Sequence, residues 1–211
     1  MKSLESVIGK IKKANHLLGE MAHAELSPLP IDLRNLHYSK SKKTHRIGAV
    51  IVLIYSKNNE LYFIVTQRHE YNGSHSGQIS LPGGKYEEID GDTQQTALRE
   101  TNEEIGVAQS SIDVIASLCE LYIPPSNFLV HPYVGVVKDD ILFKRDEFEV
   151  KEIIEVPLSF LLETKVIKKP LTELTKTANY EEYCPCFEFE GKIIWGATAM
   201  ILNELRRILL Q

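Results

Sequence analysis

Three glutamates stand close together on one predicted helix of this chain. Glu100, Glu103 and Glu104 occupy positions i, i+3 and i+4, and at about 100° per residue they share one face of the helix. Carboxylates at this spacing repel one another, so a fold that crowds them gains little unless a cation neutralises them. Hard oxygen ligands of this kind suit Mg²⁺ or Mn²⁺. The cluster is a candidate divalent-metal and diphosphate site, and a solvated helix face is the alternative interpretation.

Capping residues predict where this acidic helix begins and ends. Asp92 can cap the first turn, and Gly106 can take the left-handed conformation that stops a helix. The predicted limits are therefore near residues 93 and 105. Ahead of the helix, the segment Leu81-Pro82-Gly83-Gly84 supplies a bend and two glycines, where the backbone can approach a ligand without a Cβ in the way.

The segments around the acidic helix predict a layered fold. Apolar residues on both parities from 47 to 54 indicate a strand that is covered on both faces, and residues 57–60 turn the chain into a second strand at 61–66. Further elements are predicted as strands at 112–123, 128–137 and 149–156, a hairpin at 187–195, and an amphipathic helix at 197–210. This order predicts an α/β fold with a mixed β-sheet between helices.

An amphipathic segment precedes the predicted sheet. Apolar residues recur at helical spacing over residues 3–22, which predicts a helix that packs on the domain or on a second subunit. A homodimer is therefore a possible assembly. The proline-bearing, increasingly basic stretch that follows is interpreted as a solvated linker, with a phosphate-contacting entry to the first strand as the alternative. We divide the chain into an N-terminal helix and linker extension, 1–45, and one domain, 46–211.

Composition excludes several classes of protein. The chain has 211 residues, of which 43% are hydrophobic, enough to bury a full core. A net charge of −5 gives no field that would attract nucleic acid. No run of apolar residues is long enough to span a membrane or to form a signal peptide. The three cysteines form neither a disulfide framework nor a zinc spacing. We expect a cytoplasmic protein that binds neither nucleic acid nor membrane.

The acidic helix and its glycine turn together resemble the Nudix box. That family pattern is Gly, five positions, Glu, seven positions, then Arg-Glu-apolar-any-Glu-Glu-any-Gly-apolar. Gly84 and residues 99–107 match it, with Thr101 at the apolar position. Asp90 replaces the middle Glu, and eight residues rather than seven separate it from Arg99. This longer spacing is similar to that of the coenzyme A pyrophosphatase branch of the family.

Two further stretches resemble the same branch. Its members typically show Thr-Ala-Leu-Arg-Glu, which is present at residues 96–100, and residues 65–84 resemble its upstream signature. That signature has a small residue, an Arg and a Phe where this chain has His69, Gly73 and Leu81. The absent Arg leaves ADP-ribose or another nucleoside diphosphate derivative as the alternative substrate. The resemblance covers about residues 46–203 and implies a Nudix-like α/β/α sandwich.

The resemblance implies a metal-dependent hydrolase that cleaves the diphosphate of coenzyme A or its derivatives into 3′,5′-ADP and a phosphopantetheine half. Glu100 and Glu104 would bind Mg²⁺ or Mn²⁺. Glu103 would bind a second metal or a metal-bound water, and a carbonyl of Gly83 or Gly84 would complete the ligand set. A non-catalytic, nucleotide-binding regulatory domain of the same family is a further alternative.

Side chains outside the cluster supply the remaining candidates. Arg99 can pair with Glu103 one turn later and hold the carboxylates in register. Nudix enzymes often take a general base or a further metal ligand from an acid on a later loop or strand, and Glu149 is our first choice here, with Glu152 second. Three residues are candidates for substrate binding: Arg68, His75 and Lys85. For His75, a hydrogen-bonded loop residue is the alternative.

Overall fold

A computed structural model describes residues 3–14, 19–41, 44–70, 77–138, 141–175 and 183–211. The helices in these ranges are α1 (Leu4–Lys13), α2 (Gly19–Leu26), α3 (Ile31–Ser41), α4 (Thr93–Ile105), α5 (Leu158–Glu163), α6 (Leu171–Leu174) and α7 (Gly196–Leu210). The strands are β1 (Arg46–Lys57), β2 (Glu60–Arg68), β3 (Ile79–Ser80), β4 (Gly83–Lys85), β5 (Asp113–Ser117), β6 (Leu121–Ile123), β7 (Phe128–Val137), β8 (Val150–Pro157), β9 (Ile167–Pro170), β10 (Tyr183–Phe189) and β11 (Lys192–Trp195). In the ranges described, no helix combines the length and the apolar character needed to cross a bilayer.

The strands described form an eight-stranded mixed sheet and a three-stranded antiparallel sheet. The central strands β1 and β7 pair in parallel from Arg46 to Tyr55. Beside them, β1 and β2 form the predicted hairpin and then diverge. β4 pairs with β1 at residues 48–50, and β3 pairs with β2 at residues 66–67. The segment 79–85 therefore lies between the diverging ends of β1 and β2 and brings the glycine turn into the sheet.

Two hydrophobic cores cover the two faces of the large sheet. Side chains of β1 alternate between them: Val52 and Ile54 belong to the core that contains α1, α5 and α7. Ile51 and Leu53 belong to the core that contains α4. Because successive side chains of a strand point to opposite faces, a strand that is apolar on both parities has helices on both sides. The predicted α/β/α arrangement with a mixed sheet is confirmed.

The acidic helix, α4, has the limits that its capping residues predict. The Asp92 carboxylate accepts a hydrogen bond of 2.8 Å from the backbone N–H of Gln95. At the other end, Gly106 has a φ of 74° in the left-handed region, and its N–H donates to the carbonyl of Asn102. Both ends of the helix are thus fixed by local interactions.

Two segments differ from their predicted secondary structure. The predicted linker contains α3 over residues 31–41. Its prolines precede the helix, where they do not interrupt it, and Asp32 lies in the favourable first turn. The strand predicted at 112–123 is divided into β5 and β6. Opposite the break, Pro132 has no N–H for the ladder, and the N–H of Cys119 bonds to the Glu204 carboxylate at 3.0 Å.

The prediction of one N-terminal helix over residues 3–22 is also wrong, because α1 ends at Lys13, where Ala14 is extended, and a separate helix, α2, begins at Gly19. Residues 15–18 between them lie outside the described ranges. Val7 and Ile11 of α1 are buried in the core that contains α7. On α2, Nε2 of His23 lies 2.9 Å from Oε2 of Glu204 on α7, and both side chains are 2% exposed. Because its own chain covers the apolar face of α1, that face gives no support to a homodimer. The domain boundary at residue 46 stays a prediction.

We expect Glu204→Gln to lower the free energy of unfolding by about 1–3 kcal/mol at neutral pH, because it weakens a buried, charge-assisted hydrogen bond. Burial alone would raise the pKa of Glu204, but hydrogen bonds from His23 and from the Cys119 N–H outweigh burial and lower it. The lowered pKa stabilises the fold above the ordinary value of 4.5, and this contribution is lost as pH falls through the lowered value.

Chemical denaturation of both proteins from neutral to acid pH measures this difference. The gap in unfolding free energy between wild type and Glu204→Gln should narrow as the medium becomes acidic. A gap that stays constant with pH would show that the Glu204 charge does not hold the N-terminal helices in place.

Candidate active site

The glycine turn brings the backbone of β4 against both β1 and α4. Gly83 has a φ of +146°, and a Cβ there would lie 2.2 Å from the Ala49 carbonyl oxygen. A Cβ on Gly84 would lie 2.3 Å from Cδ of Glu100. Only glycine permits both the positive φ and these approaches. The first carboxylate of the cluster therefore lies directly over the turn.

Glu104 is the buried acid of the cluster, with a side chain that is 4% exposed. Its Oε2 accepts a hydrogen bond of 3.2 Å from the N–H of Gly83, and its Oε1 lies 3.9 Å from Nη1 of Arg68. Burial raises the pKa of Glu104 to about 8, although Gly83 and Arg68 oppose the change, and Glu100 and Glu149 add to it. A positive charge at this position would favour the ionised carboxylate.

Glu100 and Glu103 extend the cluster toward solvent. The side chain of Glu100 is 15% exposed, and burial raises its pKa against the effect of Arg99, with further increases from Glu103 and Glu149. Glu103 is 57% exposed, and its Oε2 accepts a hydrogen bond of 2.9 Å from Nη1 of Arg99. The i,i+4 pair between Arg99 and Glu103 is therefore present as predicted.

Arg99 joins the helix, the glycine turn and the loop between them. Its Nε donates to Oδ1 of Asp90 at 2.6 Å, and its Nη2 donates to the carbonyl of Lys85 at 3.1 Å. The same Nη2 lies 3.0 Å from Oε1 of Glu100. A planar guanidinium can serve these acceptors at once, whereas a single ammonium group cannot reproduce the geometry.

Asp90 is the residue whose part in the site the sequence did not reveal. Its side chain is 2% exposed and accepts hydrogen bonds from Arg99, from Oγ1 of Thr96 and from the N–H of Glu87. The hydrogen bond with Arg99 holds the pKa of Asp90 far below its ordinary value, against the opposing effect of burial. In the sequence, Asp90 is a departure from the family spacing, and the turn over residues 88–90 that folds it back toward Arg99 has no obvious signal.

The loop before β8 is fastened to the C-terminal end of α4. The N–H of Lys144 donates to the carbonyl of Ile105, and the N–H of Asp146 donates to the carbonyl of Glu104, both at 2.9 Å. Gly106 allows the loop to approach, since a Cβ there would lie 2.8 Å from the carbonyl oxygen of Lys144. The last carbonyls of α4, which have no partner within the helix, are thus used to position this loop.

The same loop brings Glu149 toward the acidic cluster. Oδ1 of Asp146 accepts hydrogen bonds from the N–H groups of Phe148 and Glu149 at 2.7 and 3.0 Å. The negative charge of Glu149 raises the pKa values of both Glu100 and Glu104. The structure therefore brings the first choice for the general base into the electrostatic environment of the cluster.

The second choice for the general base, Glu152, lies on the face of the sheet opposite to the acidic cluster. It is paired across the strands with Gln67, and its carboxylate accepts a hydrogen bond of 2.7 Å from Nζ of Lys192. Glu152 has the same parity along β8 as Ile154 and Val156, which belong to the core that contains α7. Alternation along the strand therefore places Glu152 on the face away from α4.

The three candidates for substrate binding have different positions. Arg68 reaches the cluster, and its buried Nε has no hydrogen-bond partner among the described residues. Lys85 is exposed beside the turn, and its carbonyl accepts a hydrogen bond from Arg99. His75 lies outside the described ranges. Of the three, Arg68 therefore combines contact with the cluster and a donor that has no partner in the part of the chain that the structure describes.

The donors at the turn suit a hard divalent cation. Glu100 and Glu104 present carboxylates at the glycine turn, and burial opposes the ionised form of each. In the ranges described, no three His, Cys, Asp or Glu side chains converge into a ready-made cation site. Arg99 and Arg68 lie against the carboxylates instead. A bound cation would offset the cost of burying these ionised carboxylates. A donor set made only of oxygen atoms fits Mg²⁺ or Mn²⁺ chemically.

If Glu149 is the general base, as the resemblance implies, Asp146→Ala should slow the reaction by up to about a hundredfold, the effect of misplacing a catalytic group by about 1 Å, because the carboxylate that holds the backbone N–H of Glu149 is lost. Asp146→Asn keeps an acceptor oxygen and should retain most of the rate. Steady-state kinetics of both variants, and of Asp146→Ala combined with Glu149→Gln, measure the effect. If Asp146 acts through Glu149, the double variant should be no slower than Glu149→Gln alone. Fully additive losses would contradict that role.

Comparison with known proteins gives a consistent result. The family model described as NUDIX domain matches residues 44–174. The uncharacterized Nudix hydrolase NudL of Yersinia enterocolitica serotype O:8 / biotype 1B is 32% identical over 168 residues, which cover 79% of this chain and 83% of that protein. The peroxisomal coenzyme A diphosphatase NUDT7 of Mus musculus is 29% identical over 204 residues, which cover 93% of this chain and 82% of that protein.

A solved structure shares the fold. A MutT/nudix family protein from Enterococcus faecalis superposes with a TM-score of 0.50 at 15% sequence identity, over 94% of this chain and 76% of that chain. At this identity the similarity concerns the fold alone. It agrees with the mixed sheet between helices described above.

Proposed function

Because the chain belongs to the Nudix hydrolase family, we propose that it hydrolyses the diphosphate linkage of coenzyme A or its derivatives with the help of Mg²⁺ or Mn²⁺. The products would be 3′,5′-ADP and 4′-phosphopantetheine or its acyl form. The observation that carries the proposal is the placement of the Glu100 and Glu104 carboxylates against the glycine turn at Gly83 and Gly84. This arrangement joins hard oxygen donors to a backbone that a substrate can approach closely.

In this proposal Glu100, Glu104 and one glycine carbonyl would hold the cation, and Glu103 would bind a second metal or a metal-bound water. In an antiparallel ladder the N–H and the carbonyl of one residue point to the same side. The N–H of Gly83 points at Glu104, which favours Gly83 as the residue whose carbonyl binds the cation. The Gly84 carbonyl oxygen points toward β1 instead, since it lies 2.8 Å from the position that a Cβ on Gly48 would occupy. When bound, the cation supplies charge neutralisation at the diphosphate.

Four other side chains bind the phosphate, position the acids or accept a proton. Arg68 binds a phosphate oxygen through its guanidinium, whose Nε has no hydrogen-bond partner within the described ranges, and Lys85 provides a second, exposed positive charge beside the turn. Arg99 keeps Glu100 and Glu103 in position. Glu149 accepts a proton from the attacking water, since it is an acid held near the cluster by its loop.

Coenzyme A is the preferred substrate in this proposal for two reasons. The long spacing between Asp90 and Arg99 and the stretch at residues 65–84 resemble the coenzyme A pyrophosphatase branch. The mouse coenzyme A diphosphatase is also similar over 93% of this chain. Gly73, where that branch has an Arg, favours ADP-ribose or another nucleoside diphosphate derivative as the second candidate.

A substrate panel with product analysis tests the proposal. Coenzyme A, ADP-ribose, NADH and dinucleoside polyphosphates are incubated with Mg²⁺, with Mn²⁺ or with a chelator, and the products are identified by mass spectrometry. We expect cation-dependent release of 3′,5′-ADP from coenzyme A. Turnover of another compound without turnover of coenzyme A would show that the substrate is ADP-ribose or another nucleoside diphosphate derivative. Binding of a nucleotide without any turnover would favour the regulatory alternative.

A further inference from the structure

The turn that carries Glu149 is held by hydrogen bonds from two directions. From α4, the carbonyl of Glu104 accepts a hydrogen bond of 2.9 Å from the N–H of Asp146. From the end of β2, Nε2 of His69 lies 3.0 Å from the carbonyl oxygen of Glu147. A carbonyl oxygen can only accept, so Nε2 carries a proton and His69 is the donor. The mechanism proposed above does not use the His69 side chain.

His69 follows directly after Arg68, the side chain assigned to the phosphate. The backbone of this strand end is fixed, because the N–H of Arg68 donates to the carbonyl of Gln78 at 3.1 Å and the N–H of Gly77 donates to the carbonyl of His69 at 3.2 Å. Arg68 also pairs across the strands with Val150, where β8 begins. One fixed strand end therefore carries both the phosphate-binding residue and the imidazole that holds the turn.

The ladder between β2 and β8 does not extend into this turn. Its register shifts beside Arg68, and the pair of Arg68 with Val150 is the last one toward the turn in the described ranges. A nearby ion pair joins Lys151 and Glu70 at 4.0 Å, but both side chains are largely exposed, so it contributes little. A side-chain hydrogen bond such as that of His69 is therefore needed to fasten the turn to β2.

Histidine at this position is a departure from the coenzyme A pyrophosphatase branch, whose signature has a small residue where this chain has His69. A small side chain has no donor that could reach the carbonyl of Glu147. The contact therefore belongs to this chain's own sequence and not to the pattern of the branch.

We propose that His69 is a positioning residue, which fixes Glu149 relative to the phosphate-binding Arg68 by donating to Glu147. The inference rests on the proposed function, in which Glu149 accepts a proton from the attacking water. A proton acceptor must lie within hydrogen-bond reach of that water, and a small misplacement of a catalytic group lowers the rate. His69 itself would contact neither the substrate nor the cation.

Three substitutions separate the hydrogen bond from the bulk of the ring. His69→Ala removes the donor. His69→Gln and His69→Asn carry the same amide donor, but the Gln nitrogen is as many bonds from Cα as Nε2 of histidine, whereas the Asn nitrogen is one bond closer. His37→Ala is the control, because it removes an exposed histidine on α3.

We expect His69→Ala and His69→Asn to lower kcat about fivefold, the change in population that the net strength of one hydrogen bond produces. KM should stay nearly unchanged, since Arg68 remains in place. His69→Gln and His37→Ala should keep most of the wild-type kcat. In a protein that already carries Glu149→Gln, His69→Ala should cause no further loss. Losses that add in full, or a raised KM with an unchanged kcat, would overturn the inference.

Amide hydrogen exchange gives a measurement that does not require turnover. NMR of the full chain without substrate follows the N–H groups of Phe148 and Glu149, which lie in the turn. Their exchange should be about fivefold faster in His69→Ala than in the wild type, because local opening becomes easier by one hydrogen bond. His69→Gln should restore the slower exchange. Equal rates in the wild type and His69→Ala would show that His69 does not hold the turn.

The two proposals fail in distinguishable ways. If the wild type hydrolyses no compound of the panel, the proposed function fails before His69 is varied. If Glu149→Gln keeps the full rate, Glu149 is not the proton acceptor, and the role of His69 is overturned with it. If Glu149→Gln is strongly impaired while His69→Ala is fully active, the proposed function stands and the assignment of His69 is wrong.

Discussion

Glu104→Gln should reduce kcat by about a thousandfold, the loss expected when several kcal/mol of transition-state charge stabilisation is removed. Gln keeps the size of the side chain and can still accept the hydrogen bond from the N–H of Gly83. It removes the negative charge that burial disfavours. In the absence of divalent ions, the variant should therefore melt at the same temperature as the wild type or at a higher one.

Kinetics with saturating Mg²⁺ and thermal melts in a chelator measure the two effects separately. Glu88→Gln is the matched control, because Glu88 is an exposed acid on the turn that leads to α4. That control should keep the rate of the wild type. If Glu104→Gln retained full activity, the acids on α4 would have no part in catalysis.

Arg99→Lys is expected to lower kcat/KM by about thirtyfold to a hundredfold and the free energy of unfolding by about 1–3 kcal/mol, the size of a lost charge-assisted hydrogen bond to a buried group. Arg99 serves Asp90, Glu103 and the carbonyl of Lys85 at once. A lysine ammonium would leave buried Asp90 incompletely paired and would release Glu100 and Glu103 from their register.

Denaturation curves and steady-state kinetics of Arg99→Lys check this prediction. Arg207→Lys is a suitable control, since Arg207 is an exposed arginine that pairs with Glu25 on α2. We expect the free energy of unfolding of Arg207→Lys to differ from that of the wild type by about a few tenths of a kcal/mol at most. Wild-type stability and activity in Arg99→Lys would show that the planar fork of the guanidinium is dispensable.

Local chemistry explains which parts of the fold could be predicted from the sequence. The limits of α4 depend on Asp92 and Gly106, which act within one turn of the helix ends. The burial of β1 on both faces depends on an apolar run that lies within a single segment. Such signals require no knowledge of distant residues, and the corresponding predictions were confirmed.

Features that depend on distant partners could not be predicted in the same way. The break between β5 and β6 involves Pro132 on the neighbouring strand and Glu204 on α7. The contact of Asp90 with Arg99 requires the turn over residues 88–90, for which the sequence has no obvious signal. Which parity of β8 faces α4 depends on packing partners that are distant in the sequence, and a half-exposed acidic strand does not reveal it. The sequence alone therefore could not show which of Glu149 and Glu152 lies near the acidic cluster.

Anomalous diffraction from crystals grown with Mn²⁺ locates the bound metal directly. We expect a manganese peak bounded by the carboxylates of Glu100 and Glu104 and by the glycine turn, and we expect this peak to disappear in Glu104→Gln. A protein that hydrolyses its substrate while manganese occupies only other positions would show that these carboxylates do not hold the catalytic cation.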